Sequence, residues 1–301
     1  MKQFLITAAA LLLALGAQTA RADLKVLACE PEWGALVQEL AGDKASVYVA
    51  TTGLQDPHHI QARPSLVAAA RNTDLLVCTG AELEIGWLPV LIRQSGNNAI
   101  QPGKPGYFEA AAWVRMLEVP QRLDRADGDV HAAGNPHIQT DPRNIALVAE
   151  PLARRLAELD PANAAVYRAR GADFMARWKA AIQRWDKEAA PLRGASVVVQ
   201  HKAFPYLAQW LGLVEVAVLE PKPGVEPTSS HLGTVLAGLQ THPAKLILRA
   251  AYNDGRGAEW LNERTKLPIV VLPFTVGGNE QAKDLFSLFN DTVRRLLKGN
   301  P

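Results

Sequence analysis

The sequence predicts an α/β protein: two Rossmann-like lobes with parallel sheets, joined by one long helix. Three observations carry this reading. Short apolar runs alternate with helical segments in both halves of the chain, which is the pattern of βαβ units and parallel sheets. Between the halves lies PANAAVYRARGADFMARWKAAIQRWDKEAAPL (161–192), a stretch with few breakers. As one helix it would run about 45 Å at 1.5 Å per residue and could brace two lobes. The starts of the two halves also align. VLACEPEWGALVQELAG falls against VVVQHKAFPYLAQWLGL, so Trp33 meets Phe204, and Leu36, Gln38 and Leu40 meet Leu207, Gln209 and Leu211. In this weak repeat Glu30 and His201 are equivalent strand ends. Both would face a cleft between lobes, where open α/β sheets bind ligands.

Residues 1–22, MKQFLITAAALLLALGAQTARA, read as an export signal. Lys2 supplies the positive start, Phe4 to Leu15 the apolar stretch, and Ala20-Arg21-Ala22 the cleavage site. The apolar stretch is too short for a membrane span of about 20 residues. No cysteine lies beside the cleavage site, so no lipid anchor is expected. The remaining chain divides into an N-terminal lobe (23–160), the linking helix (161–192) and a C-terminal lobe (193–301).

The N-terminal lobe opens with strand 24–29 and helix 31–42, where Pro31 suits the first turn and Gly42 the C-cap. Strand 46–51, helix 64–72 and strand 73–80 follow. Residues 102–136 are rich in Pro, Gly and charge and read mostly as loop, with a mobile acidic piece at 124–134. From Asp141, an N-cap ahead of Pro142, the chain turns helical. The C-terminal lobe begins with strand 195–200, then His201 and the helix of AFPYLAQWLG.

Thirty-two basic and thirty acidic residues leave a net charge of +2 and no basic stripe. Nucleic acid is therefore excluded as a natural partner. Export implies an oxidising compartment, the bacterial periplasm. Cys29 and Cys78 each end an apolar run, and either a disulfide or two small buried thiols fits.

The chain has seven histidines: His58, His59, His131, His137, His201, His231 and His242. His58, His137 and His201 stand at element junctions, far apart in sequence. A site built from them must be assembled by the fold. Neutral imidazole is the commonest zinc ligand, and three of them leave a fourth position for water or a carboxylate. His231 reads as a helix-start residue beside a Ser229 or Ser230 cap, and His242 as structural. Trp33, Phe204 and Tyr206 read as lobe packing.

DPHHIQARPS, GNPHIQTDPRN and QHKAFPYLAQWLGL resemble, in this order, the metal-binding segments of the zinc/manganese substrate-binding proteins of bacterial ABC transporters. TGAELEIGWLPVLI (79–92) and EPKPGVEPTSSHLGTVL (220–236) are similar to further segments of that family. The resemblance implies two α/β lobes on a long helix, with limited lobe motion and a metal site in the inter-lobe cleft. It implies His58, His137 and His201 as ligands, with His59 backing a ligand or facing solvent. The family's late carboxylate ligand has no match here, because VVLPFTVGG (270–278) lacks Asp and Glu. Glu30, Asp254 and His59 are the remaining candidates for the fourth position or for supporting a ligand. Three imidazoles without a carboxylate favour zinc over manganese, which prefers oxygen. The family's long His-rich loop is missing. Asp127, Asp129 and His131 are candidates for transient metal contacts in its place, in a segment that otherwise reads as solvated surface.

The expected function is capture of Zn²⁺ in the periplasm, as a monomer, and delivery to an ABC permease, with a periplasmic metallochaperone as a further partner. Three rivals compete. A secreted three-histidine zinc hydrolase would need an open substrate cleft and a general base. A manganese or iron carrier, or an adhesin, could share the fold.

Overall fold

The computed structural model describes residues 23–124 and 128–300. The export-signal segment and Asp127 lie outside them. In the N-terminal lobe, β1 (Leu24–Ala28) leads to α1 (Pro31–Ala41), then β2 (Ala45–Val49), α2 (Pro64–Arg71), β3 (Leu75–Cys78), α3 (Leu88–Ser95) and β4 (Tyr107–Glu109). Next come α4 (Pro142–Leu159) and α5 (Ala164–Glu188). The C-terminal lobe holds β5 (Ser196–Val199), α6 (Pro205–Leu211), β6 (Val214–Val218), α7 (Ser229–Gly238), β7 (Leu246–Ala250), α8 (Arg256–Thr265), β8 (Ile269–Leu272) and α9 (Leu285–Gly299).

Among the described residues each lobe carries one four-stranded sheet, in the orders β2-β1-β3-β4 and β6-β5-β7-β8. Every pairing is parallel. The two orders are the same, so the weak repeat in sequence is a repeat in topology. Parallel sheets are covered on both faces, which explains the unbroken apolar runs LLVC and VVV.

One expectation holds with an addition, and one needs correction. The stretch 102–136 is not all loop: β4 adds a fourth strand, pairing Tyr107 with Leu76, and a 3₁₀ turn follows at Ala110–Trp113. Three residues are too few to show a period, so only pairing with β3 reveals the strand. The long helix is also shorter than 161–192. It spans 25 residues, about 37 Å. One-turn 3₁₀ segments flank it at Pro161–Asn163 and Ala190–Leu192. Pro161 and Pro191 sit in those turns, where the missing N–H costs no helical bond.

α5 is the shared wall of the molecule. Tyr167, Phe174, Trp178 and Trp185 on one of its faces are fully buried. They join a single core with Trp33, Leu36 and Leu40 of α1, Val148 and Leu152 of α4, Phe204 and Leu207 beside or in α6, and Phe289 of α9. Burying an aromatic side chain of this size removes roughly 150–250 Å² from water, on the order of 4–6 kcal/mol each at about 25 cal/mol per Å². Both lobes therefore stand on one continuous core rather than on a thin linker. The outer face of each sheet has its own smaller cluster, around Leu66, Trp87 and Leu91 in one lobe and Leu232, Ile247 and Leu261 in the other.

Cys29 and Cys78 are bonded to each other, with Cα atoms 4.8 Å apart. The bridge ties the ends of neighbouring strands β1 and β3. Among the described residues no helix is long and apolar enough to cross a membrane.

Candidate metal centre

His58, His137 and His201 reach the cleft from three different local structures. His58 follows β2 in an Asx turn, where its backbone N–H donates to Asp56 Oδ1 at 3.0 Å. Trp87 Nε1 donates to Pro57 O at 2.9 Å and pins the same turn. His137 precedes the 3₁₀ turn Ile138–Thr140, and its N–H donates to Asn135 Oδ1 at 3.1 Å. Asp141 caps α4 by accepting from Arg143 N at 2.8 Å, so the cap read from sequence is present. His201 lies two residues beyond β5. The parallel register, Val199 opposite Val218, carries the chain so that Glu220 ends up beside it.

The three rings converge. Centroids are 5.3 Å apart for His58 and His137, 5.9 Å for His58 and His201, and 5.5 Å for His137 and His201. One ligand atom from each lies within 4.8 Å of the others, and all three side chains are buried. His137 Nε2 and His201 Nε2 are 3.4 Å apart. Two nitrogens bound tetrahedrally to zinc at about 2.0–2.1 Å would be roughly 3.3–3.4 Å apart.

Two carboxylates sit behind the trio. Asp56 Oδ1 lies 2.7 Å from His58 Nδ1, and Glu220 Oε2 lies 2.6 Å from His201 Nδ1. Gly224 N donates to the same Glu220 oxygen at 2.9 Å. A proton held on Nδ1 by a carboxylate leaves the Nε2 lone pair free to face the cleft. His58 Nε2 is buried with no hydrogen-bond partner among the described residues. Burial, and then His58, His201 and His131 around it, hold His137 well below the ordinary imidazole range, so it stays neutral. Burial pushes Asp56 up, but hydrogen bonds from His58 outweigh it and leave the carboxyl below its ordinary value.

The other sequence candidates separate from this trio. Glu30 is buried but turned into its own lobe, where Oε2 accepts from Thr79 N at 3.2 Å and Thr79 Oγ1 at 3.1 Å beside Glu84. Asp254 is paired with exposed Arg256, whose N–H donates to it at 2.8 Å. His59 points to solvent, with Nε2 3.9 Å from Asp129 Oδ2. None of the three completes the site. The cap beside His231 is Thr228, not Ser229 or Ser230: His231 N donates to Thr228 Oγ1 at 3.2 Å, and its ring Nε2 lies 2.9 Å from Val218 O. His242 lies against Thr241 Oγ1 at 3.0 Å. Trp33, Phe204 and Tyr206 are core residues, although Tyr206 Oη also donates to Asn135 O at 2.7 Å and so steadies the approach to His137.

The segment expected to be solvated surface is only partly so. His131 lies with its ring stacked on His58, 5.3 Å between centroids and 29° between planes. Burial, and then the neighbouring His58, push its pKa down to about 4.

Sequence reasoning missed four contributors. Asp56 had a local signal, an Asx turn two residues before a histidine. Glu220 had none, because its place beside His201 depends on strand register. Phe274 stands in the loop where a carboxylate was sought. It has φ +68° and packs its ring edge-on to His137 at 5.4 Å. Tyr252 packs on Phe274 at 5.3 Å. Its hydroxyl is buried without a partner among the described residues, and burial, followed by Asp56 and Glu220, pushes its pKa well up.

Residues 26–299 match the family model of the zinc-uptake complex component A, periplasmic. The manganese ABC transporter substrate-binding lipoprotein PsaA of Streptococcus mitis is 24% identical over 277 residues, 89% of this chain and 85% of that protein. The iron ABC transporter substrate-binding lipoprotein MtsA of Streptococcus pyogenes serotype M1 is 23% identical over 271 residues, 86% of this chain and 83% of that protein. A crystal structure of ZnuA superimposes with a TM-score of 0.77 at 20% identity, covering 93% of this chain and 100% of that one.

Proposed function

This chain belongs to the family of the periplasmic zinc-uptake complex component A, and we propose that its cargo is Zn²⁺, captured in the periplasm by His58, His137 and His201. Members of the family are metal-binding components of ABC transporters, not enzymes, and a membrane permease with its ATPase completes the transporter. The observation that carries the zinc reading is the division of labour around the trio. The nearest carboxylates, Asp56 and Glu220, hold the outer nitrogens of His58 and His201 rather than joining the ligand set. The loop at 270–278 offers Phe274 to the site rather than an acid. The donors are therefore imidazoles, which suit zinc, whereas manganese selects oxygen.

The lobes 23–160 and 193–301 share one core across α5. Release to the permease then proceeds through local change at the loops that carry the ligands, not through wide hinge opening. The protein works as a monomer. An imidazole must be neutral to bind metal, so protonation of the ligands in acid weakens binding.

Metal content and calorimetric titration of the exported form test this reading. The expected result is one tightly held Zn²⁺ that equimolar Mn²⁺ does not displace. Retention of Mn²⁺ against equimolar Zn²⁺ would overturn the choice of metal. Unchanged tight binding in His58→Ala, His137→Ala and His201→Ala would overturn the site.

A further inference from the structure

We propose that His131 supplies a fourth nitrogen donor to the ion held by His58, His137 and His201. The proposal rests on the three-histidine reading above and goes beyond it, to the position that reading leaves open.

The trio is closed on most sides. Phe274 lies edge-on to His137, and Asp56 and Glu220 stand behind His58 and His201. The remaining side opens into a cavity of about 150 Å³, lined by Glu118, Asp129, His131, Asn135 and Lys202 as well as by His137 and His201. Most of its polar groups are already committed. Glu118 accepts from Lys202 Nζ at 2.8 Å and from Asn135 Nδ2 at 3.0 Å. Asn135 also accepts from His137 N and donates to Lys202 O at 2.7 Å. Lys202 is a cation. Asp129 faces His59, at 3.9 Å. That leaves two groups, the partly exposed Asp129 carboxylate and the His131 imidazole, and of these the imidazole stacks on a member of the trio.

Its ring is at the right range from His58. Four imidazoles on one tetrahedral ion, bound at about 2.0–2.1 Å, place ring centroids roughly 5 Å apart. His131 stands 5.3 Å from His58, the same spacing as His58 to His137. It is stacked on His58 rather than pointing inward, so donation to the ion requires its side chain to rotate toward the trio. The backbone that carries it is anchored on both lobes. Asp129 N donates to Pro223 O at 2.9 Å, and Ala132 N donates to Glu82 Oε2 at 2.6 Å. A donor on a surface segment also suits a carrier that must surrender its cargo, because this bond can be lost without unpacking the core. Tyr252, a further polar group near the site, keeps its phenolic proton and is a poor ligand.

X-ray absorption on the zinc-loaded protein counts the imidazoles, and the visible spectrum of the Co²⁺-loaded protein reports the donor set independently. The expected count is four in the wild type. His131→Ala and His131→Gln should each show three plus a water oxygen, a changed Co²⁺ spectrum, and at least about a tenfold loss of zinc affinity. His59→Ala should match the wild type. If both His131 variants keep the wild-type count, spectrum and affinity, the proposal falls while the three-histidine site stands. If alanine at His58, His137 or His201 also changes nothing, the underlying site falls with it.

Discussion

β1 and β5 open their lobes with the same neighbours. Ala28 pairs with Val49 and Val77, and Val199 pairs with Val218 and Leu248. The next residues repeat the pattern, as Cys29 N donates to Val77 O and Gln200 N to Leu248 O, both at 2.8 Å. One residue later the lobes part. Glu30 is drawn into its own lobe by Thr79 and sits against Glu84. His201 stays in the cleft, held by Glu220. The strand end is the same; the partner on the adjacent strand decides whether its side chain locks the lobe or faces a ligand. With Glu30 turned inward, the N-terminal lobe reaches the cleft through His58 and His137, which ride on the turns set by Asp56, Asn135 and Asp141.

The sharpest break of this comparison is to remove each strand-end residue. His201→Ala should cost more than the roughly 10–100-fold in zinc affinity typical of losing a supporting group. Glu30→Gln should leave affinity within about twofold by calorimetry. Equal losses would mean that the two positions share a role after all.

The disulfide exists in one lobe alone. Cys29→Ala with Cys78→Ala opens a link between residues 49 apart in sequence. A loop of that size predicts a loss of about 2–4 kcal/mol in denaturant unfolding. Zinc affinity at a temperature where the variant is folded should not change, because His58 and His137 are held by Asp56 and Asn135 rather than by the bridge, and His201 lies in the other lobe.

Glu220→Gln tests the partner rather than the ligand. It should weaken zinc binding by about 10–100-fold, with His201 still present. Asp56→Asn should act alike on His58. If either variant binds as tightly as wild type, the carboxylate does not orient its histidine.

The smallest effect concerns Glu32, which reaches across to accept from Thr275 Oγ1 in the other lobe. Burial pushes both Glu32 and Glu84 up to about 7 from an ordinary value of 4.5. The unfolded chain releases these protons near 4.5, while the folded chain keeps them to near 7. Between these values the unfolded state binds fewer protons, so metal-free stability falls as pH rises from about 4.5 through about 7. Glu32→Gln keeps an acceptor for Thr275 and removes one titration. Its melting temperature should decline less than that of wild type over this range.

Much of the site was legible because it is local. The Asp141-Pro142 start of α4 needs only neighbouring residues, and histidines at element junctions stand out in any reading. The two-lobe plan followed from alternation and from one long stretch without breakers. What stayed hidden depends on pairing. β4 has three residues and shows itself only by docking on β3. Glu220 is 19 residues from His201 and becomes its neighbour only through the register of β5 and β6. His131 looked like part of a solvated acidic segment because nothing in its own neighbourhood points to His58.

By itself the sequence determined the element types and the two-lobe division, which follow from periodicity and capping acting over a few residues. The choice of His58, His137 and His201 among seven histidines came from the family resemblance, not from their spacing. Tertiary structure alone decided that Glu30 turns inward, that Asp56 and Glu220 back the imidazoles, that Phe274 stands where an acid was sought, and that His131 lies on His58. Each of these is a contact between distant segments. Its free energy exists only once a parallel sheet has set the register and a shared core has fixed the lobes around α5.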